Sequence, residues 1–302
     1  MAHHSRENNF KTALVTGADG FTGRYMTDLL AQRGYHVVGM GHTGGNNTII
    51  CDLRDSKGIL DVVRKTQPDV VVHLAALSFV GENNVEGFYQ VNLFGTIHLL
   101  EALDVLETPP KKILIASSAN VYGTSLAEVI DETVCPAPVN HYANSKLAME
   151  HMVRTWFDRL NIIITRPFNY TGPNQGERFL IPKIIGHFRR REREIKLGNL
   201  EVSRDFSDVR DVVRSYVALL ESESRSVTVN ICSGIATSLM DVINMLNDYS
   251  GYQIKVSVDP VLVRSNEVSR LQGNNDFLKK LIDFTPEIPF DRTLWDMFTL
   301  KG

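Results

Sequence analysis

Apolar residues along this chain gather into short unbroken runs separated by longer amphipathic stretches. Lys11–Thr16, Tyr35–Met40, Val70–Leu74, Lys112–Ser117 and Asn161–Thr165 are strand-like runs, and the lack of alternation in Tyr35–Met40 marks a strand buried on both faces. Between them, Arg24–Arg33, Lys57–Thr66, Phe88–Leu106 and Tyr142–Arg159 carry helical spacing. Strands alternating with helices predict βαβ units and a parallel sheet, hence an α/β doubly wound fold. The rhythm changes after Arg166, where Pro167, Gly172, Pro173, Pro182 and Gly198 punctuate a less regular half. The strand-like Val227–Cys232 is expected to return to the main sheet. The predicted organisation is a first domain over 10–166, with a returning segment near 205–232, and a smaller second domain built from 167–204 and 233–302. No internal repeat or low-complexity linker interrupts it.

Composition mainly excludes. The 302 residues, 43% hydrophobic and 22% charged, describe an ordinary globular chain large enough for one large domain or two modest ones. A net charge of -3 argues against a dedicated nucleic-acid binder. Cys51, Cys135 and Cys232 are widely spread without CxxC spacing, and they read as reduced thiols in a cytoplasmic protein. No His/Cys cluster suggests a metal. The polar Met1–Phe10 lacks the apolar core of a signal peptide, and no run approaches the roughly 20 apolar residues of a membrane span.

Gly17, Gly20 and Gly23 change the picture. They are spaced G-x-x-G-x-x-G after the first strand and at the start of the first helix. One glycine permits the tight turn, another lets backbone amides approach a pyrophosphate, and the last lets helix and strand pack closely. The helix start then stabilises phosphate through unpaired N–H groups and its dipole. This predicts a Rossmann dinucleotide cradle, with Phe21 and Thr22 inside it. An acid for the ribose normally follows the second strand, but that region reads Met40-Gly41-His42-Thr43. With no carboxylate there to repel a 2′-phosphate, NADP(H) is favoured and NAD(H) stays open. Arg24 and His42 are the candidate neighbours.

Tyr142 and Lys146 lie four residues apart on a predicted helix, hence on one face. A free phenol has a pKa of about 10, and a nearby ammonium favours the phenolate and lowers it. Together with the glycine turn, the pair points to hydride chemistry on a carbonyl or alcohol.

TGADGFTG, CDLRD, HLAA, VNLFGT, SSANVYG, YANSK and RPFNYTGP, in that order, resemble the extended short-chain dehydrogenase/reductase family over nearly the whole chain. VSRDFSDVRDV, NICSG and RSNEV look most like its GDP-4-keto-6-deoxy-D-mannose reductases, which make GDP-D-rhamnose. The resemblance implies a Rossmann domain with a smaller C-terminal substrate domain and a catalytic group of Ser118, Tyr142 and Lys146. In reduction Tyr142 would protonate the alkoxide, Ser118 would bond the same oxygen, and Lys146 would also position the nicotinamide ribose. It further implies that Asp52 and Leu53 flank the adenine, that Leu74, Ala75 and Ala76 line the nicotinamide ribose, and that Asn92 supports the site. Asn169, Arg204 and Arg264 become candidates for sugar or diphosphate, Glu267 for the nucleotide ribose, and Ser78 and Phe79 for the hexose.

Departures from the family narrow the reaction. Its dehydratases carry Asp-Glu or Ser-Glu after the catalytic hydroxyl residue, and its fucose-forming members carry a Cys. Here Ala119 and Asn120 stand there, and neither is an acid or base. Dehydration and 5-epimerisation are disfavoured. C4 reduction of GDP-4-keto-6-deoxy-D-mannose leads, to GDP-D-rhamnose or to GDP-6-deoxy-D-talose. A nucleotide-sugar 4-epimerase and a non-catalytic NAD(P) sensor are the alternatives. The run Arg189–Arg193 reads as a solvated helix face. Family members often form homodimers through helices matching Phe88–Leu106 and Tyr142–Arg159, although burial within one chain would give the same stripes.

Overall fold

The computed structural model describes residues 11–44, 47–78, 84–125, 127–263 and 268–300. Its strands are β1 (Thr12–Thr16), β2 (His36–Gly41), β3 (Thr48–Ile50), β4 (Val70–His73), β5 (Lys112–Ala116), β6 (Ile162–Pro167), β7 (Asn169–Thr171), β8 (Glu194–Leu197), β9 (Ser203–Asp208), β10 (Val227–Ile231), β11 (Ala236–Ser238), β12 (Lys255–Val258) and β13 (Arg270–Leu271). Its helices are α1 (Phe21–Gln32), α2 (Ser56–Thr66), α3 (Val85–Phe88), α4 (Gly95–Asp104), α5 (His141–Arg154), α6 (Leu180–Arg189), α7 (Val209–Glu221), α8 (Leu239–Ser250), α9 (Asp276–Leu281) and α10 (Phe290–Thr299). A seven-stranded sheet in the order β10-β6-β5-β4-β1-β2-β3 forms the doubly wound centre, with β1–β2, β1–β4, β4–β5 and β2–β3 all parallel.

The chain divides into two compact units. The first runs to Ala116 and adds Ala148–Ile163 and Arg225–Val227. Ala13, Leu14 and Val15 of β1, Val71 and Val72 of β4, and Ile113 and Leu114 of β5 are wholly buried. β-branched and aliphatic side chains covered on both faces explain why these strands show no alternation. Helix α2 begins where Asp55 accepts the Gly58 amide at 3.0 Å.

The second unit holds Ser117–Leu147, Ile164–Ser224 and the chain from Thr228 onward. Strand β9 pairs with β7, β11 and β13, while β8 pairs with β12. Helices α6, α8 and α10 meet over an apolar cluster that includes Ile184, Phe188, Val242, Leu246 and Leu294. A second cluster surrounds Tyr122. The Tyr122 hydroxyl donates to Asn230 Oδ1 at 2.7 Å and accepts from Arg166 at 2.9 Å, and the Arg166 guanidinium stacks 4.8 Å from the Tyr122 ring. Asn230 in turn donates its amide to Glu132 Oε1 at 2.7 Å, and its side chain donates to the Ile130 carbonyl at 3.1 Å. This network fixes the segment that separates Ser118 from Tyr142.

Three sequence expectations are corrected. The helix read over Phe88–Leu106 is α3, a wider π turn over Tyr89–Phe94, then α4. The helix read to Arg159 ends at Arg154, and β6 runs two residues beyond Thr165 to Pro167. The edge strand β3 was not anticipated, since three residues carry too little pattern to read.

Two predictions follow from the Tyr122 segment. Gly123 has φ +56, and a Cβ there would lie 1.7 Å from the Ala137 carbonyl oxygen. Gly123→Ala is expected to cost at least about 2 kcal/mol of stability, seen as a lower midpoint in chemical denaturation. Burial pushes the Tyr122 phenol up to about 12 from 10.0, against the opposing pull of Arg166. A raised folded-state pKa means its stabilising contribution is complete below pH 10 and disappears as pH climbs to about 12. Tyr122→Phe should therefore be less stable at neutral pH and lose stability less steeply over that alkaline window, measured by urea midpoints.

Candidate active site

In the first unit, the chain leaving β1 turns at Gly17, whose amide donates to the Met40 carbonyl at 2.7 Å. Gly17 has φ +69, and a Cβ on it would approach the Ala75 amide nitrogen at 2.8 Å. At Gly23 a Cβ would fall 2.0 Å from the Gly17 carbonyl. Both contacts are backbone on backbone, so only glycine permits them. Helix α1 then starts from Gly20 with no side-chain cap. A tight turn leading into an uncapped helix start fits the pyrophosphate of a dinucleotide, which would take the place of a cap. Gly17, Gly20, Phe21, Thr22 and Gly23 all lie in this turn and the first turn of α1.

The segment after β4 is held by buried polar groups that sequence reasoning missed. Thr16 Oγ1 lies 2.6 Å from His73 Nδ1, and His73 Nε2 lies 2.9 Å from Thr96 Oγ1. Thr16 Oγ1 also accepts the Ala75 amide at 3.2 Å. Asn92 accepts the Leu77 amide at 2.8 Å and donates to the Leu77 carbonyl at 3.0 Å. Asn92 therefore acts on backbone, from within the π turn, and Leu74, Ala75 and Ala76 lie on the strip that it and Thr16 fix. The signal for His73 was its place in HLAA, a histidine ending an otherwise apolar strand.

The end of β2 departs from expectation. Asp19 Oδ2 accepts the amides of His42 at 2.9 Å and Thr43 at 2.8 Å, and the Thr43 hydroxyl at 2.9 Å. A carboxylate does stand beside this strand end, supplied by the glycine turn and so invisible to a search of the residues after β2. His42 meets it through its amide. The Asp52 carboxylate is engaged by Arg54, which holds its pKa down at about 2. The Leu53 carbonyl lies 3.0 Å from His98 Nδ1.

In the second unit, Asn140 Oδ1 accepts the Ala143 amide at 2.9 Å and opens α5. Tyr142 and Lys146 follow on its covered face, 8% and 4% exposed. Ser118 Oγ accepts the Asn120 amide at 3.2 Å, and Ser118 shares a side-chain hydrogen bond with Tyr142. The expected lowering of the phenol is not its net state: burial pushes Tyr142 up to about 12, although the Ser118 bond pulls the other way. Removing the phenolate from water costs more than that bond returns. Tyr142 stands protonated at neutral pH, the form a proton donor requires.

Asn169 and Arg204 lie on neighbouring strands β7 and β9, with Asn169 opposite Phe206. The Arg204 guanidinium donates to the Ser203 and Ser269 carbonyls at 2.9 and 3.3 Å. Ser78 is exposed. Phe79, Arg264 and Glu267 lie outside the described residues. Arg190 pairs with Glu177 and Glu192, so part of the arginine run is a solvated, ion-paired surface.

A family model described as GDP-mannose 4,6 dehydratase matches residues 14–297. A protein from Aggregatibacter actinomycetemcomitans named GDP-6-deoxy-D-talose 4-dehydrogenase is 35% identical over 86% of this chain and 87% of its own length. One from Pseudomonas aeruginosa named GDP-6-deoxy-D-mannose reductase is 31% identical over 93% of each. The structure described as RMD from Pseudomonas aeruginosa complexed with NADPH matches with a TM-score of 0.85 at 29% identity, covering 96% of this chain and 98% of that one. With the glycine turn, the buried Ser118–Tyr142 pair and the doubly wound sheet already in place, this chain belongs to the GDP-mannose 4,6-dehydratase family of extended short-chain dehydrogenases/reductases.

Proposed function

We propose that this enzyme reduces the C4 ketone of GDP-4-keto-6-deoxy-D-mannose to GDP-D-rhamnose. The observation that carries the reading is the Ser118–Tyr142 pair, buried, hydrogen-bonded and with the phenol held protonated. Gly17, Gly20 and Gly23 would hold the pyrophosphate of a nicotinamide dinucleotide, which when bound would supply the hydride for the carbonyl carbon. Tyr142 gives its hydroxyl proton to the oxygen as negative charge develops there, and Ser118 orients that oxygen by a hydrogen bond. Lys146 favours transfer because a cation near the phenol steadies the phenolate left behind. Asn169 and Arg204 are assigned to the sugar diphosphate, for which a guanidinium is suited, with Arg264 and Glu267 completing the nucleotide contacts. Ala119 is buried and Asn120 is neutral, so no side chain at these two positions can move the C5 proton that dehydration demands. The talose-forming name of one relative supports a second reading, in which the same chemistry delivers hydride to the other face of C4 and yields GDP-6-deoxy-D-talose.

We assign the exposed Phe94 and Met152 to a homodimer contact, in keeping with the family's use of these helices.

The purified chain, given the keto-sugar from a separate dehydratase, should consume reduced nicotinamide, read as falling absorbance, with the C4 configuration of the product set by NMR. Constant absorbance with interconversion of C4 epimers would establish a 4-epimerase instead. Tyr142→Phe should lower kcat by roughly 10²–10⁴-fold while leaving dinucleotide affinity nearly unchanged. Wild-type turnover in a folded Tyr142→Phe variant would remove Tyr142 from the chemistry.

A further inference from the structure

Asp19 sits in the glycine turn, yet its side chain serves the end of β2. Three donors from the end of β2, the His42 amide, the Thr43 amide and the Thr43 hydroxyl, converge on Oδ2, and the residue's own amide also bonds the carboxylate. Its other oxygen, Oδ1, takes none of these three bonds and lies 2.5 Å from where a Cβ on Gly41 would be. The carboxylate therefore rests against the last residue of the strand, and Gly41 leaves it the room. Partial burial raises the Asp19 pKa, but the bonds from Thr43 and His42 outweigh it and leave it lowered, so the group is ionised at neutral pH.

In a strand–turn–helix–strand dinucleotide unit, the adenosine ribose lies at the end of the second strand, and an acid there accepts from its 2′-hydroxyl. The sequence places no acid after β2; the fold places one there from 23 positions upstream. An ionised carboxylate has about four acceptor sites and can take a further hydrogen bond from a hydroxyl. It can only repel a phosphate, which carries close to two negative charges. Arg24 is also near, its Nε donating to the Asp19 carbonyl at 3.2 Å, and His42 follows the strand. Neither forms an ion pair with the Asp19 carboxylate among the described residues, so its charge is not cancelled by contact.

We propose that Asp19 selects the dinucleotide without a 2′-phosphate, so that this enzyme prefers NAD(H) to NADP(H). The inference rests on the reading that the glycine turn holds a nicotinamide dinucleotide, and it reverses the expectation drawn from the residues after β2. It would also set this chain apart from the Pseudomonas aeruginosa structure, which holds NADPH.

The test needs no sugar substrate. The full chain is titrated with NADH and with NADPH, following nicotinamide fluorescence to give a Kd for each, and thermal melting checks that every variant is folded. Wild type should bind NADH at least about tenfold more tightly, the scale of one close charge–charge contact. Asp19→Asn keeps an acceptor for the His42 and Thr43 amides but removes the charge, and should tighten NADPH about tenfold while changing NADH little. Asp19→Glu should retain the wild-type preference, and Asp19→Ser replaces Asp19→Asn if the latter does not fold. Wild type binding NADPH as tightly as NADH, or more tightly, overturns the proposal. An unchanged ratio in folded Asp19→Asn reduces Asp19 to a clamp on the loop and also overturns it. Binding of neither dinucleotide would remove the oxidoreductase reading as well, which separates the two failures.

Discussion

Backbone touching backbone is the constraint on which the rest is built. In the first unit the Gly17 carbonyl occupies the space a side chain on Gly23 would need, and this brings the start of α1 onto the end of β1. In the second, Gly123 passes so close to the Ala137 carbonyl that a Cβ cannot fit. The first contact makes a tight turn into an uncapped helix start, which suits a pyrophosphate. The second closes the loop between Ser118 and Tyr142. Each trades conformational freedom in the unfolded chain for a close approach that no other residue allows.

Around these contacts, burial is used with opposite consequences for charge. Tyr142 and Tyr122 are phenols placed where their anions are disfavoured. Tyr122 spends that environment on structure, bonding Arg166 and Asn230. Tyr142 keeps its proton, with Ser118 as its hydrogen-bond partner. Asp19, only partly covered, is treated in the reverse sense: three donors stabilise its anion at the strand end. The same low-dielectric physics holds one acid neutral, while hydrogen bonds hold the other ionised.

The family's description names a dehydratase, yet this chain retains only part of the equipment for that reaction. The hydroxyl pair and the dinucleotide turn are what any hydride transfer at C4 requires. The acids that move protons at C5 and C6 have no counterpart at Ala119 or Asn120. Fold and family thus limit the reaction to a class, and the site within the fold has to say which member of it applies.

Much of this was legible along the chain. Unbroken apolar runs at Val70–His73 and Lys112–Ala116 announce strands covered on both sides, because no polar face needs to be shown to water. The glycine spacing announces the turn, and Tyr142 with Lys146 announces one helix face, since all three are local geometry. What could not be read depends on groups distant in sequence meeting in space. His73 looks like an odd polar ending to a strand until Thr16 and Thr96 flank it. The net acidity of Tyr142 follows from how thoroughly its neighbours exclude water, which a nearby lysine in the sequence does not reveal. No acid follows β2 in the sequence, yet parallel pairing of β1 with β2 brings the Asp19 carboxylate to that strand end. Local order was determined by the chain itself; burial and long-range charge placement were decided only by the fold, because both are sums over neighbours that the linear order does not specify.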